Sequence, residues 1–236
     1  MDRYKAILFD LDGTLIDFRA CEFNSLKSAV ASAGISFAGN LTWEKFWETY
    51  TPLKSYYWGK RTNGELTREE AIENSIRDTL VTLGLEQSPL CSIAKTYVRS
   101  FVRANYLQPG VHETLRLLKD RVALGLVTNG YRDAQRGRAE ASGLVPYFET
   151  IVVSEEVGCE KPDPRIFEIA LCELDMKASD ALYVGDSIEY DYKGALAAGI
   201  DFCLYDPLNA RPDLNPEPIL RITTLRQLVR HIELED

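Results

Sequence analysis

Short apolar runs alternate with amphipathic stretches along most of this chain, and the first apolar run ends in acid. Tyr4 to Phe9 reads as a strand whose apolar run, Ile7-Leu8-Phe9, leads into Asp10-Leu11-Asp12-Gly13-Thr14. Such a run fits a parallel strand covered on both sides. Further strands are predicted at Val122 to Val127, Ile151 to Val153, Ala181 to Val184, Phe202 to Tyr205 and Ile219 to Ile222. Helices are predicted between them at Val111 to Lys119, Arg132 to Ser142, Pro164 to Leu174 behind an Asp163 N-cap, Tyr190 to Ala198, and Leu225 to Ile232. Pro207 to Pro218 reads as a loop. Alternating β and α elements predict an α/β fold built on a doubly wound parallel sheet.

Between the first two strands, residues 18–106 show no strand pattern and are predicted to form an inserted all-helical module, leaving 1–17 and 107–236 as the core. Its helices are expected at Arg19 to Ala33, Trp43 to Tyr57, Arg68 to Leu83 and Pro89 to Asn105, with Thr67 and Glu70 spaced for a capping box. Trp43, Phe46, Trp47 and Tyr50 fall on one helical face and read as the module's own core in preference to a base-stacking platform. Tyr56, Tyr57 and Trp58 cannot all point one way, and Gly59 to Gly64 reads as a turn. Tyr57, Trp58 and Lys60 are therefore candidate substrate contacts, with a solvated loop as the alternative reading.

Composition narrows the partners. A net charge of -9 over 236 residues repels a polyanion, which argues against a long nucleic acid as ligand. The five cysteines include no close pair and no metal-ligand spacing, so they are expected as reduced thiols, with Cys172 and Cys203 in the core. Only His112 and His231 are present, neither in a catalytic motif, which disfavours imidazole triads and histidine-rich zinc sites. No apolar run is long enough to cross a bilayer and no cleavable segment precedes the first strand, so a cytoplasmic location is expected.

The chemistry collects at the predicted strand ends. Asp10 and Asp12 follow the first strand, Thr128-Asn129-Gly130 the second, and Gly185-Asp186-Ser187 a later one, with Asp191 beyond; Glu160-Lys161-Pro162-Asp163 occupies a loop between them. Polar groups at the carboxyl ends of strands in an open α/β sheet converge on one crevice. Two carboxylates held this close resist joint ionisation unless a cation joins them or one stays protonated. Carboxylates and carbonyls without softer partners favour a hard divalent ion such as Mg²⁺.

These four segments, in this order and spacing, resemble the haloacid dehalogenase-like superfamily of phosphohydrolases, over essentially the whole chain. The resemblance implies that the insertion is a helical cap hinged near Ile16-Asp17-Phe18 and Leu107-Gln108-Pro109. It implies that Asp10 is a nucleophile forming an aspartyl-phosphate, and that Asp12 is the acid and then the base. Thr128, Asn129 and Lys161 would hold the phosphoryl group. Mg²⁺ would be bound by the Asp10 side chain, the Asp12 carbonyl and Asp186, with Asp191 holding a metal-bound water, orienting Lys161 or serving only the dipole of the helix it begins. The expected substrate is a small phosphate ester. Thr128-Asn129-Gly130-Tyr131, the Ser154-Glu-Glu-Val-Gly158 approach to Lys161, and Trp58 through Thr67 further resemble the bacterial pyrimidine 5'-nucleotidases of that superfamily. An acylneuraminate-9-phosphate phosphatase is the rival likeness, and a sugar phosphomutase shares the same core motifs. A non-catalytic binding module has no use for the four carboxylates together with Lys161.

Overall fold

The computed structural model describes residues 4–37, 39–210 and 216–233. Met1 to Arg3 and the middle of the predicted 207–218 loop, residues 211–215, lie outside the described residues. Two compact units emerge: residues up to 19 together with those from 102 onward, and residues 20–101.

The first unit is built on one sheet whose strands are all parallel. Its strands are β1 (Ala6–Phe9), β2 (Ala123–Thr128), β3 (Thr150–Val153), β4 (Ala181–Gly185), β5 (Asp201–Tyr205) and β6 (Leu220–Ile222), in the spatial order β3-β2-β1-β4-β5-β6. Register is set by apolar residues facing one another, with Ala6 and Phe9 of β1 opposite Ala123 and Leu126 on one side and Ala181 and Val184 on the other. All four β1 residues are fully buried, as expected of a central strand with helices on both faces. The strand order reverses direction beside β1, the place where doubly wound sheets open a crevice at their carboxyl ends.

Helix boundaries follow from caps. In the helical unit and its approach, α1 (Phe18–Ser32), α2 (Trp43–Thr62), α3 (Arg68–Thr82) and α4 (Leu90–Phe101) lie in succession. The Thr67–Glu70 capping box of α3 forms in full, with Thr67 N donating to Glu70 Oε2 at 2.8 Å and Glu70 N to Thr67 Oγ1 at 3.2 Å. Trp43, Phe46, Trp47 and Tyr50 are buried among Leu26, Val30, Ile76 and Ile93, so the aromatic face is the core of this unit.

Two expectations there need correction. The predicted turn at Gly59 to Gly64 is helical through Thr62, because Asn63 caps α2 by donating its N–H to Gly59 O and Lys60 and Arg61 favour the negative end of the helix. One glycine costs only about 1 kcal/mol inside a helix whose other residues are well packed. Conversely α4 ends at Phe101, four residues short of the predicted limit.

The remaining helices flank the sheet: α5 (Val111–Lys119), α6 (Arg132–Ala141), a single turn α7 (Ser154–Val157), α8 (Pro164–Glu173), α9 (Lys193–Ala197) and α10 (Leu225–Glu233). Asp163 caps α8, its carboxylate accepting from Arg165 N at 3.0 Å with Pro164 in the first turn. The predicted helix from Tyr190 divides into a π turn over residues 188–192 and α9. Cys203 is buried on β5, but Cys172 is exposed. The buried face of α8 is Ile166, Phe167, Ala170 and Leu171, which turns position 172 outward.

Candidate active site

β1 ends at Phe9, and Asp10 to Ile16 turn tightly just past it. Leu15 N and Ile16 N both donate to Leu11 O, while Gly13 N donates to Ile16 O at 2.8 Å. Asp10 itself stays anchored to the neighbouring strand, its N–H donating to Val184 O at 2.9 Å. Because both acids lie beyond the last strand residue, the loop decides where their side chains go, and it gives them different partners.

Asp10 is buried and its Oδ1 accepts from Lys161 Nζ at 2.5 Å. The same ammonium donates to Asp191 Oδ1 at 2.7 Å and to the Tyr183 hydroxyl at 2.9 Å. These contacts account for the three protons an ammonium can donate. Burial opposes the charge on Lys161, but the Asp10 and Asp191 carboxylates outweigh it and hold the ammonium above its usual range. Burial also raises the Asp10 carboxyl well above the usual carboxylate range, with Asp191 and Asp186 pushing the same way and Lys161 opposing them.

The loop that carries Lys161 is tied to β2. Asn129 Nδ2 donates to Lys161 O at 2.9 Å and Asn129 Oδ1 accepts from Lys161 N at 2.8 Å. The Asn129 amide thus fixes the Lys161 backbone. The Gly130 N–H donates to Ser154 Oγ at 2.9 Å, while Thr128 sits buried at the end of β2.

Asp186 follows β4, and Asp191 lies in the π turn after it with Oδ2 accepting from Ser187 N at 2.9 Å. Two glycines make room for these carboxylates. A Cβ on Gly13, whose φ is +93°, would come within 2.6 Å of Asp186 Oδ1, and one on Gly185 would come within 2.5 Å of Asp191. Oxygens of Asp10, Asp186 and Asp191 lie within 4.8 Å of one another. Three carboxylates gathered in a largely buried space offer hard oxygen donors of the kind that fit a divalent cation. The sequence expectation drew its side-chain ligands from Asp10 and Asp186 and gave Asp191 a supporting place; the structure gathers all three.

Asp12 faces α6. Arg138 Nη1 lies 2.5 Å from Asp12 Oδ1 and Nη2 2.7 Å from Oδ2, and Gln135 Nε2 donates to Oδ2 at 3.0 Å. Arg138, Gln135 and Tyr183 were not singled out from the sequence. A Gln and an Arg three residues apart, flanked by Ala134 and Ala139 in a helix entered from Thr128-Asn129-Gly130, are the signal that could have found the first two. Tyr183 was hidden inside an apolar strand.

The three candidate substrate contacts lie on α2 of the helical unit. The Tyr57 hydroxyl donates to Asp78 Oδ2, Trp58 packs against the unit's core with Arg61 5.4 Å from its ring centre, and Lys60 sits 5.2 Å from the Tyr56 ring and 3.7 Å from Glu65 Oε2. Among the described residues no helix is long and apolar enough to cross a membrane.

A family model described as haloacid dehalogenase-like hydrolase matches residues 4–199. The pyrimidine 5'-nucleotidase YjjG of Escherichia coli (strain K12) is 30% identical, covering 94% of this chain and 93% of that protein. The pyrimidine 5'-nucleotidase PynA of Streptococcus pneumoniae is 28% identical, covering 96% and 94%. Among solved structures, the magnesium-bound HAD-hydrolase YfnB from Bacillus subtilis superposes with a TM-score of 0.80 at 28% identity, covering 98% of this chain and 99% of that one.

Proposed function

The chain belongs to the haloacid dehalogenase-like hydrolases, and from that premise we propose that it is a Mg²⁺-dependent phosphomonoesterase whose substrate is a nucleoside 5'-monophosphate. The observation that carries the reading is the buried Asp10 carboxylate, set 2.5 Å from Lys161 Nζ and grouped with Asp186 and Asp191. Asp10 attacks phosphorus, forming the Asp10 oxygen–phosphorus bond as the ester oxygen–phosphorus bond breaks. Asp12 protonates the leaving oxygen. In the second half-reaction Asp12 takes a proton from water as that water displaces Asp10 from phosphorus.

Lys161 offsets the negative charge of the transferring phosphoryl oxygens, a contribution that is largest in a site shielded from water. Its ammonium exchanges one of its present partners for a phosphoryl oxygen when the ester arrives. Asn129 holds the Lys161 backbone while that happens, and Thr128 lines the end of β2. Asp10, Asp186 and the Asp12 carbonyl would hold Mg²⁺, with Asp191 completing the acidic group, and the ion would supply charge neutralisation and orientation of the phosphate.

Residues 18–106 serve as the cap that selects the ester, and Tyr57, Trp58 and Lys60 are the groups assigned to the nucleoside. The likeness to PynA and YjjG supports the nucleotide reading. A cytoplasmic location suits such a substrate.

Phosphate release tests this directly. The purified protein is assayed with and without Mg²⁺ against pyrimidine and purine nucleoside monophosphates, sugar phosphates, an acylneuraminate 9-phosphate and p-nitrophenyl phosphate. Highest kcat/KM on a pyrimidine nucleotide, lost on chelation and restored by Mg²⁺, is expected. Preference for another ester would reassign the substrate, and release unaffected by exhaustive chelation would remove the metal.

A further inference from the structure

Arg138 is nearly fully buried, with 1% of its surface exposed, yet it is not part of the Lys161 cluster. Its guanidinium meets Asp12 as a fork, with one nitrogen on each carboxylate oxygen. Gln135 braces the pair. Its Nε2 reaches both Asp12 Oδ2, at 3.0 Å, and Asn129 O, at 2.5 Å, while its Oε1 accepts from Arg138 Nη2. Arg138 Nε donates to Ala134 O at 3.2 Å, and the Phe18 ring centre lies 5.8 Å from the guanidinium carbon.

Burying a guanidinium to meet one carboxylate is a poor way to gain stability, because desolvation cancels much of the attraction and an apolar pair would serve as well. What the fork provides is direction. Two parallel N–H···O contacts fix both the plane and the heading of a carboxylate, which a point charge such as an ammonium does not. The fork is mounted on α6, and Asn129, which tethers Lys161, lies in the approach to that helix with its carbonyl accepting from Gln135 Nε2, so the Asp12 support and the Lys161 tether are joined through Gln135.

We infer that Arg138, with Gln135 beside it, is a positioning residue that aims the Asp12 carboxyl for proton transfer. The inference rests on the reading of Asp12 as the acid and base of phosphate ester hydrolysis. Asp12 Oδ2 accepts from both Arg138 and Gln135, so the transferred proton occupies the lone pair of Oδ1 that the guanidinium does not use. That proton passes to the ester oxygen as its bond to phosphorus breaks, and a water proton replaces it in the second half-reaction. The guanidinium keeps its own protons throughout. Misaiming a proton donor should slow departure of a basic alkoxide far more than that of p-nitrophenolate, which leaves with little help.

The test is the ratio of kcat/KM for glycerol 2-phosphate to kcat/KM for p-nitrophenyl phosphate. Arg138→Met is expected to lower the ratio about tenfold, within the ~100-fold or more that general acid catalysis contributes and that Asp12→Ala removes. Arg138→Met added to Asp12→Ala is expected to lower the ratio no further, since residues acting through one group are not additive. Gln135→Leu, which leaves the fork in place, is expected to lower it by a smaller factor, and it carries the test if Arg138→Met does not fold. A ratio unchanged in both Gln135→Leu and Arg138→Met, while Asp12→Ala reduces it, would overturn the positioning role and leave the Asp12 reading standing. An equal further fall in the Asp12→Ala background would also overturn it, showing a purely structural part. A ratio unchanged in Asp12→Ala itself would remove the acid–base reading and the inference with it.

Discussion

The Tyr183 hydroxyl accepts from Lys161 Nζ at 2.9 Å, and its own proton is shared between Val127 O and Asp191 Oδ1, each 3.1 Å away. Tyr183 is fully buried on β4, and its ring meets Phe167 edge-on and stacks on Phe202. Burial, followed by the nearby Asp191 and Asp10 charges, pushes the phenol well above its usual range, so it stays a neutral partner of the ammonium. It holds the Lys161 ammonium together with Asp10 and Asp191.

Tyr183→Phe should therefore leave one Lys161 N–H and the Val127 carbonyl without this buried partner. An unsatisfied buried group costs about 1–3 kcal/mol, which predicts a measurable fall in thermal midpoint. Turnover should drop by about tenfold, the equivalent of ~1.4 kcal/mol in the barrier, as Lys161 loses its heading. Calorimetry and steady-state kinetics on the same preparation check both. An unchanged midpoint with unchanged kcat would show the hydroxyl to be dispensable.

Gly13 is constrained twice, by a φ of +93° and by the Asp186 carboxylate 2.6 Å from where a Cβ would sit. Gly13→Ala should strain the loop and displace the Asp186 carboxylate. The expected result is a higher Mg²⁺ concentration for half-maximal activity and a destabilisation of about 1–3 kcal/mol. Magnesium titration of activity, with a melting curve, measures the two effects. Wild-type Mg²⁺ dependence in the variant would mean that Asp186 does not need the space Gly13 leaves.

The parts of this molecule that repeat a local rule were readable from the sequence. β1 could be found because its apolar run ending in Asp10 fits a parallel strand covered on both faces, and α3 and α8 because Thr67 and Asp163 announce their first turns. Tertiary context decided the rest. Gly59 reads as a helix breaker, yet the packing of Trp43 to Trp58 carries α2 past it. Cys172 is apolar enough for the core, and only the phase of α8 turns it outward. Tyr183 was silent inside its apolar strand, 22 residues from Lys161, and the spacing of Gln135 and Arg138 could mark a pair but not its partner Asp12, which lies 126 residues from Arg138.

The helical unit yields a prediction on specificity. If Tyr57 and Trp58 meet the nucleoside, Trp58→Ala and Tyr57→Ala should reduce kcat/KM for a pyrimidine nucleotide about tenfold relative to p-nitrophenyl phosphate, since stacking is worth about 1–3 kcal/mol per base. Trp58 also packs on the core of its unit, so its variant should melt lower as well. A loss of stability with the substrate ratio unchanged would leave both rings as structural members of α2.

The central claim is that Asp10 carries the phosphoryl group, and trapping that intermediate tests it most directly. A burst of turnover with a phosphate ester and Mg²⁺, quenched in acid and reduced with borohydride, converts an aspartyl-phosphate to homoserine that peptide mass mapping locates. Homoserine is expected at position 10 in the wild-type protein, and neither homoserine nor turnover in a folded Asp10→Asn variant. Homoserine at another aspartate, or full turnover by Asp10→Asn, would contradict it.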